Sequence, residues 1–175
     1  GSPIGKTFAL KITKDEAVSQ GVPAWEDVQG NEGVAYLAQL ALEQGEATQA
    51  FDWLRPIAVT SGLPSTTTYL LQRIHLLLGH ADESALWRQR TDDARRREKL
   101  TSSVNQVLRE APQSFWARAV RAYRFAEQGN WIEAEHLTQS LAREAPQEPF
   151  VRELSVAVGK RGPLPSLELL PIKLF

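Results

Sequence analysis

Apolar residues recur every three to four positions over most of the chain, which is the spacing of one face of an α-helix. The first two such runs stand on either side of Gly45. Because the link at Gly45 is too short for anything but antiparallel neighbours, the runs predict a helical hairpin over about 31–62. The apolar positions of the two runs are Val34, Leu37, Ala38, Ala41 and Leu42, then Ala47, Ala50, Phe51, Leu54 and Ala58.

The same spacing continues after the helix breakers Gly62 and Pro64. One run ends at Gly79 and another at Gly129, and each is followed by a further helical run. We therefore expect hairpins over about 65–111 and 114–146, followed by a terminal helix over 148–159 that covers the end of the stack. The periodicity predicts an all-α fold for residues 31–159.

Two of the predicted helix starts carry side chains that can accept hydrogen bonds from unpaired backbone amides. The polar run from Ser65 to Thr68 is expected to cap the start of its helix. Asn130 and Glu133 have the spacing of a capping box at the start of the helix after Gly129.

The two ends of the chain show a different pattern, in which apolar and other residues alternate. We expect residues 1–30 to form an extended or short helical segment and residues 160–175 to form an extended apolar tail. One interpretation is that both ends are flexible. The other is that they pack across the helices or pair with another chain. The alternating apolar residues are Phe8, Leu10 and Ile12 at the start, and Leu170, Ile172 and Leu174 at the end.

The chain also repeats itself at an interval of 34 residues. The segment Arg109-Glu110-Ala111-Pro112-Gln113 recurs as Arg143-Glu144-Ala145-Pro146-Gln147. Gly45 and Gly79 have the same separation, as do Trp53 and Trp87. A period of 34 residues is that of the tetratricopeptide repeat, in which each helical hairpin buries its apolar face by stacking on its neighbours.

Residues 115–148 resemble a tetratricopeptide repeat in more than period. They have a small residue and an aromatic in the first helix, a glycine in the turn, an aromatic after it, a small residue at the helix crossing and a final proline. The unit over 31–64 is less similar, with Ala47 in place of that aromatic and Pro56 inside the second helix, and the unit from Ser65 onward is the least similar. The matching residues of 115–148 are Ala122, Phe125, Gly129, Trp131, Ala134 and Pro146.

The resemblance implies a short right-handed superhelix whose first helices line a concave groove for a protein or peptide segment. Aromatic, amide and charged side chains in such a groove suit peptide capture, because they offer rigid contact area and charge-assisted hydrogen bonds. Ordinary surface is the alternative interpretation. The groove positions that the resemblance implies are Gln39, Glu43, Tyr69, Arg73, Trp116, Tyr123 and Glu127.

One interval departs from the repeat, because Gly79 and Gly129 are 50 residues apart. No Gly or Pro occurs between His80 and Ala111, and apolar spacing resumes from Leu100 onward. This stretch predicts one long helix of about 45 Å. A kink near Thr101 is the alternative.

Composition narrows the possible functions. A net charge of −1 gives no general attraction to nucleic acid or anionic membrane, and no apolar run reaches the length of a membrane span. The absence of cysteine excludes disulfides and thiolate chemistry. The opening Gly1-Ser2, in a chain without methionine, suggests a cloning remnant on a shortened or processed protein, and a missing signal peptide is then uninformative.

The sequence offers little specific chemistry. His75, His80 and His136 are interpreted as scattered polar residues without metal-ligand spacing, and no phosphate loop or catalytic motif occurs. We expect no cofactor, no metal and no enzymatic activity. The basic run from Arg95 to Lys99 is interpreted as a solvated face, with Asp92 and Asp93 forming pairs at i,i+4. Docking of an acidic partner or phosphate backbone on this run is a minority hypothesis.

The sequence therefore predicts a protein-interaction module or adaptor, with Arg73 and Tyr123 contributing most to binding. Three alternatives remain open. One is a secretion-type chaperone that holds an export substrate, and another is a structural protein that self-assembles through its apolar ends. The third is an accessory region of a larger enzyme or membrane protein.

Overall fold

A computed structural model describes residues 30–172. This part of the chain is all-helical and contains no strand, as the periodicity predicts. A short 3-10 turn, Leu167–Leu169, follows the last α-helix. The α-helices are α1 (Asn31–Glu43), α2 (Ala47–Ala58), α3 (Ser65–Leu77), α4 (Ala81–Glu110), α5 (Phe115–Glu127), α6 (Trp131–Glu144) and α7 (Pro149–Lys160).

The helices belong to two compact units, which divide between Arg96 and Arg97 inside α4. In the first unit α1 packs on α2, and α3 packs on both. Its core contains Ala38, Ala41 and Leu42 of α1, Leu54 of α2, Leu71 and Ile74 of α3, and Trp87 of α4. The apolar stripes of the sequence are thus the buried faces of these helices.

The second unit has its own core, formed where α6 packs on α5 and α7 packs on α6. Small alanines on α5 and α6 allow the helices to approach closely, and Phe150 and Leu154 of α7 fill the adjoining space. Val104, from the second half of α4, belongs to the same cluster. The terminal helix α7 therefore contributes to this core through a fully buried face.

The three hairpin turns have the same backbone geometry. Gly45, Gly79 and Gly129 have φ values of +81°, +77° and +78°, a region that side chains disfavour. In each turn the amide of the residue after the glycine donates to a carbonyl five residues earlier, at 2.8–2.9 Å. The glycine amide donates to the carbonyl three residues earlier, at 3.0–3.2 Å. These two bonds form a Schellman motif at the end of α1, α3 and α5.

Both predicted capping arrangements are wrong. Ser65 is the first residue of α3, Pro64 holds the cap position, and no side chain accepts a cap hydrogen bond there. Asn130 also makes no side-chain cap, because its backbone completes the preceding Schellman turn at ψ 71°. By contrast Ser114 has the extended ψ of 159° that a cap requires, and its Oγ accepts from the Ala117 amide at 3.2 Å.

The stretch between His80 and Ala111 forms one continuous helix, α4, as its lack of Gly and Pro predicts. The ion pair recorded near its basic run joins Arg96 to Asp93 at i,i+3, whereas the sequence predicted pairs at i,i+4. Of the alternating end segments, Leu170 and Ile172 lie in the described part and form no strand. Phe8, Leu10, Ile12 and Leu174 lie outside the described residues.

Candidate protein-binding surface

A cleft of about 310 Å³ lies between α1 and α3 in the first unit. The first helices of two successive hairpins form its walls, which is the position at which the sequence predicts a groove. The largely buried side chains of Leu63 and Leu70 form the apolar floor of the cleft. The exposed side chain of Gln39 contributes an amide to its lining. The remaining lining residues are Asn31, Glu32, Ala35, Tyr36, Pro64, Thr66 and Thr67.

Gln39 and Glu43 are joined along the surface of α1. Gln39 Nε2 donates to Glu43 Oε1 at 3.1 Å, and both residues are exposed. This is the i,i+4 spacing at which helical side chains meet. The structure therefore brings together the two groove residues predicted on α1, in a pair that leaves other amide and carboxylate atoms for a ligand.

Tyr69 and Arg73, the groove residues predicted on α3, meet a third residue that the sequence analysis did not select. The Cζ atom of Arg73 lies 6.0 Å from the centroid of the Tyr69 ring, and Cζ of Arg95 lies 5.8 Å from the same centroid. Tyr69 is 42% exposed, and both arginines are exposed. Ion pairs within the described residues include neither arginine. We call Tyr69, Arg73 and Arg95 the arginine–tyrosine patch.

The sequence placed Arg95 only in the basic run of the minority docking hypothesis, and did not predict its contact with Tyr69, which lies 26 positions earlier. The run of basic residues was interpreted as a solvated helix face. Helical spacing predicts contacts between residues of the same helix, and it cannot predict a contact between α4 and α3. The sequence did contain one indication of this contact: Arg95 on α4 has no predicted ion-pair partner, and Tyr69 on α3 occupies a predicted groove position. Only the packing of the unit turns these into neighbours.

The groove residues predicted in the second unit are more strongly engaged in packing. Trp116 is half-buried, with Phe115 against it edge to face at 4.9 Å between ring centroids. Tyr123 is half-buried, and its ring stacks on that of Phe150 with 6.5 Å between the ring centroids. Burial, and to a lesser extent the Glu127 carboxylate, raises the pKa of Tyr123 above its usual value. Glu127 itself is exposed.

The apolar tail packs onto its own unit. Leu170 is 6% exposed and belongs to the core of the second unit, and half-buried Ile172 and Leu167 pack against the same cluster. These side chains already have apolar neighbours within the chain. Leu169, which is 54% exposed, presents apolar surface to solvent in the described part of the tail.

The three histidines are not all scattered, in contrast to the interpretation of the sequence. Nδ1 of His75 lies 3.3 Å from Nδ1 of His80, with the Phe51 ring edge-on to His75 at 5.1 Å. Burial lowers the pKa of His75, His80 lowers it further, and Glu83 opposes both effects. His136 is exposed on α6. The sequence signal was the Gly79 turn, which separates the two histidines by five positions.

Two further features of the described part concern metal binding and membrane insertion. No cluster of three or more His, Cys, Asp or Glu side chains there has an arrangement suited to a metal ion. None of the described helices combines the length and the apolar character needed to cross a membrane. Comparison of the chain with protein-family models, curated proteins and solved structures gave no match.

Proposed function

We propose that this chain is a protein-interaction module of the tetratricopeptide kind, which binds a protein or peptide segment on its first unit, at the cleft between α1 and α3 and at the arginine–tyrosine patch of α3 and α4. The observation that carries the proposal is the arginine–tyrosine patch. An exposed tyrosine beside two arginines that form no ion pair in the described part offers contact area together with N–H donors that a ligand can use.

The chemistry of the surface suits a segment that combines apolar and acidic side chains. The cleft between α1 and α3 has an apolar floor at Leu63 and Leu70, which suits apolar side chains, and a polar rim at Gln39. Arg73 of α3 and Arg95 of α4 can each donate two parallel hydrogen bonds to a carboxylate. Tyr and Arg are also the side chains that most often dominate binding energy at protein interfaces.

Two features support the repeat assignment. The sequence repeats at 34 residues, and the three hairpins end their first helices in the same Schellman turn. A tetratricopeptide array uses those helices as its binding face. The proposal extends this use to the first unit.

The test is a pull-down from native lysate, read by mass spectrometry, with wild-type chain and an Arg73→Glu variant. Arg73 is exposed, and we expect the variant to fold normally and to lose the partner. Arg143→Glu is the matched control, since it makes the same charge change at an exposed position of α6. Equal recovery of the partner by Arg73→Glu and wild type contradicts the proposal.

The role of Tyr123 in binding is better tested by replacement with phenylalanine than with alanine. Because its ring stacks on Phe150, Tyr123→Ala removes core packing together with any binding contact. Tyr123→Phe keeps the ring and removes only the hydroxyl. Loss of the partner with Tyr123→Phe supports a binding role for that hydroxyl, and unchanged recovery shows that binding does not need the hydroxyl.

The same experiment distinguishes the alternatives. A secretion-type chaperone retains an exported protein in unfolded form, and an accessory region of a larger protein retains the remainder of that protein. A self-assembling chain retains copies of itself. No observation in the described part favours one of these over a dedicated protein partner.

A further inference from the structure

The turn between α3 and α4 differs from the other two hairpin turns in its side chains. In a Schellman motif the third residue from the helix end and the second residue beyond the cap face each other, commonly through an apolar contact. These pairs are Ala41 with Glu46 and Phe125 with Asn130 in the other turns. Here the pair is His75 with His80. Since the same backbone forms without histidines elsewhere in the chain, the turn does not require them.

The separation of the two imidazoles matches that of two ligands on one metal ion. A tetrahedral Zn²⁺ binds histidine nitrogen at about 2.0–2.1 Å, which places two ligating nitrogens about 3.3–3.4 Å apart. The Nδ1 atoms of His75 and His80 are 3.3 Å apart. We propose that His75 and His80 form a binding site for a divalent transition-metal ion at the end of α3, with both Nδ1 atoms as ligands.

The backbone holds these ligands in place before any ion arrives. The His80 amide donates to the His75 carbonyl at 2.8 Å, and the Gly79 amide donates to Leu76 at 3.2 Å. Phe51 packs edge-on against the His75 ring and restricts its rotation. A site held by a closed turn loses little conformational entropy on binding, compared with two histidines on mobile segments.

Metal binding requires a particular tautomer of each imidazole ring. In the hydrogen-bonded pair, one ring carries its proton on Nδ1 and donates it to Nδ1 of the other. To bind a metal through both Nδ1 lone pairs, the donating ring must carry its proton on Nε2 instead. Both rings then remain neutral imidazoles, and this rearrangement releases no proton from the pair.

The chemistry of the ligands selects the class of ion. Neutral imidazole suits Zn²⁺, Cu²⁺ and Ni²⁺, whereas Mg²⁺ and Ca²⁺ prefer oxygen. Two protein ligands leave coordination positions for water or for a donor from another molecule, as in open rather than structural zinc sites. The site does not depend on the protein-binding function proposed above.

The test is isothermal titration of the tag-free chain with ZnCl₂ at about pH 7.5, above the usual histidine pKa of roughly 6.5. His80→Ala is the informative variant, because His80 is exposed whereas His75 is 7% exposed and supports packing. His136→Ala is the matched control at an exposed histidine of α6. ¹⁵N NMR of the imidazoles identifies the nitrogen that binds.

We expect one Zn²⁺ per chain for the wild type and for His136→Ala, and an affinity at least about tenfold weaker for His80→Ala. The NMR signals of Nδ1 in His75 and His80 should shift on addition of zinc. The inference is overturned if the wild type takes up no zinc. It is also overturned if His80→Ala binds as tightly as wild type, or if the shifts fall on His136.

Discussion

The His80 amide donates to the carbonyl oxygen of His75 at 2.8 Å, across a turn that Gly79 closes in the left-handed region. This one hydrogen bond ends α3, reverses the chain into α4 and brings two imidazole rings together. The local backbone brings residues 75 and 80 together, and Phe51 from α2 contacts the His75 ring.

Replacement of Gly79 by alanine should destabilise the first unit. A Cβ at Gly79 meets no atom within 4 Å, and the cost therefore comes from its φ of +77° alone. We expect Gly79→Ala to lower the free energy of unfolding by about 1 kcal/mol, measured by chemical denaturation.

Gly159 provides the matched control for that substitution. It lies inside α7, where a Cβ also meets no atom within 4 Å, and its φ is outside the left-handed region. Gly159→Ala should therefore stabilise the chain, by about 0.5–1 kcal/mol. If both substitutions change stability in the same direction, the explanation by backbone conformation is wrong.

The start of α5 depends on a side-chain cap, whereas the start of α6 does not. Ser114→Ala removes the acceptor for the Ala117 amide and should cost about 1 kcal/mol of stability. Asn130→Ala removes no cap hydrogen bond and should change stability by less than about 0.5 kcal/mol. Thermal unfolding followed by circular dichroism distinguishes the two variants, and a larger loss for Asn130→Ala contradicts the observed capping.

The tail should contribute to stability through Leu170. Because Leu170 is buried in the second core, Leu170→Ala should cost about 2 kcal/mol or more. Leu169→Ala, at an exposed neighbour, should cost less than about 0.5 kcal/mol. Equal effects of the two changes in denaturant unfolding would show that the tail is not docked as described.

Self-assembly through the tail needs a variant that leaves the core intact. Deletion of residues 167–175 removes Leu170 from the core along with the exposed surface. Leu169→Glu changes only the exposed surface and is the cleaner probe. If the tail mediates assembly, the mass in solution measured by light scattering should fall with Leu169→Glu. An unchanged mass, with wild type larger than a monomer, excludes this surface as the contact.

Tyr123 should ionise at higher pH than an ordinary tyrosine, because burial and the Glu127 carboxylate oppose the phenolate. The folded state then holds the proton more tightly than the unfolded state does, and stability contributed by Tyr123 is lost as pH rises above its usual pKa of 10.0. Absorbance titration of the phenolate should show a late component that disappears in Tyr123→Phe. Its persistence would assign that component to another tyrosine.

Local periodicity accounts for most of what could be predicted about the fold. The apolar stripes identified the buried faces of α1 and α2, and the turn glycines marked the ends of α1, α3 and α5. The continuous helix α4 followed from the absence of Gly and Pro between His80 and Ala111. Capping at Asn130 failed as a prediction because residue type indicates only the capacity for a hydrogen bond, whereas backbone ψ determines its formation.

The candidate surface was predictable only in part. The resemblance to a repeat placed Gln39, Glu43, Tyr69 and Arg73 on the first helices of their hairpins, where the structure has them. Arg95 could not be assigned, because its contact with Tyr69 joins residues on different helices. Tyr123 was selected as a binding residue without any indication that Phe150 would cover part of its ring.

By itself the sequence determined the helices, their buried faces and the turns, since these depend on interactions within a few residues along the chain. Tertiary structure alone decided which side chains became neighbours across helices. It placed Arg95 beside Tyr69 and Leu170 in the second core, because these contacts depend on helix packing rather than on spacing in the chain. The pairing of His75 with His80 lies between the two cases: the glycine turn is local, but the ring positions also depend on Phe51 from α2.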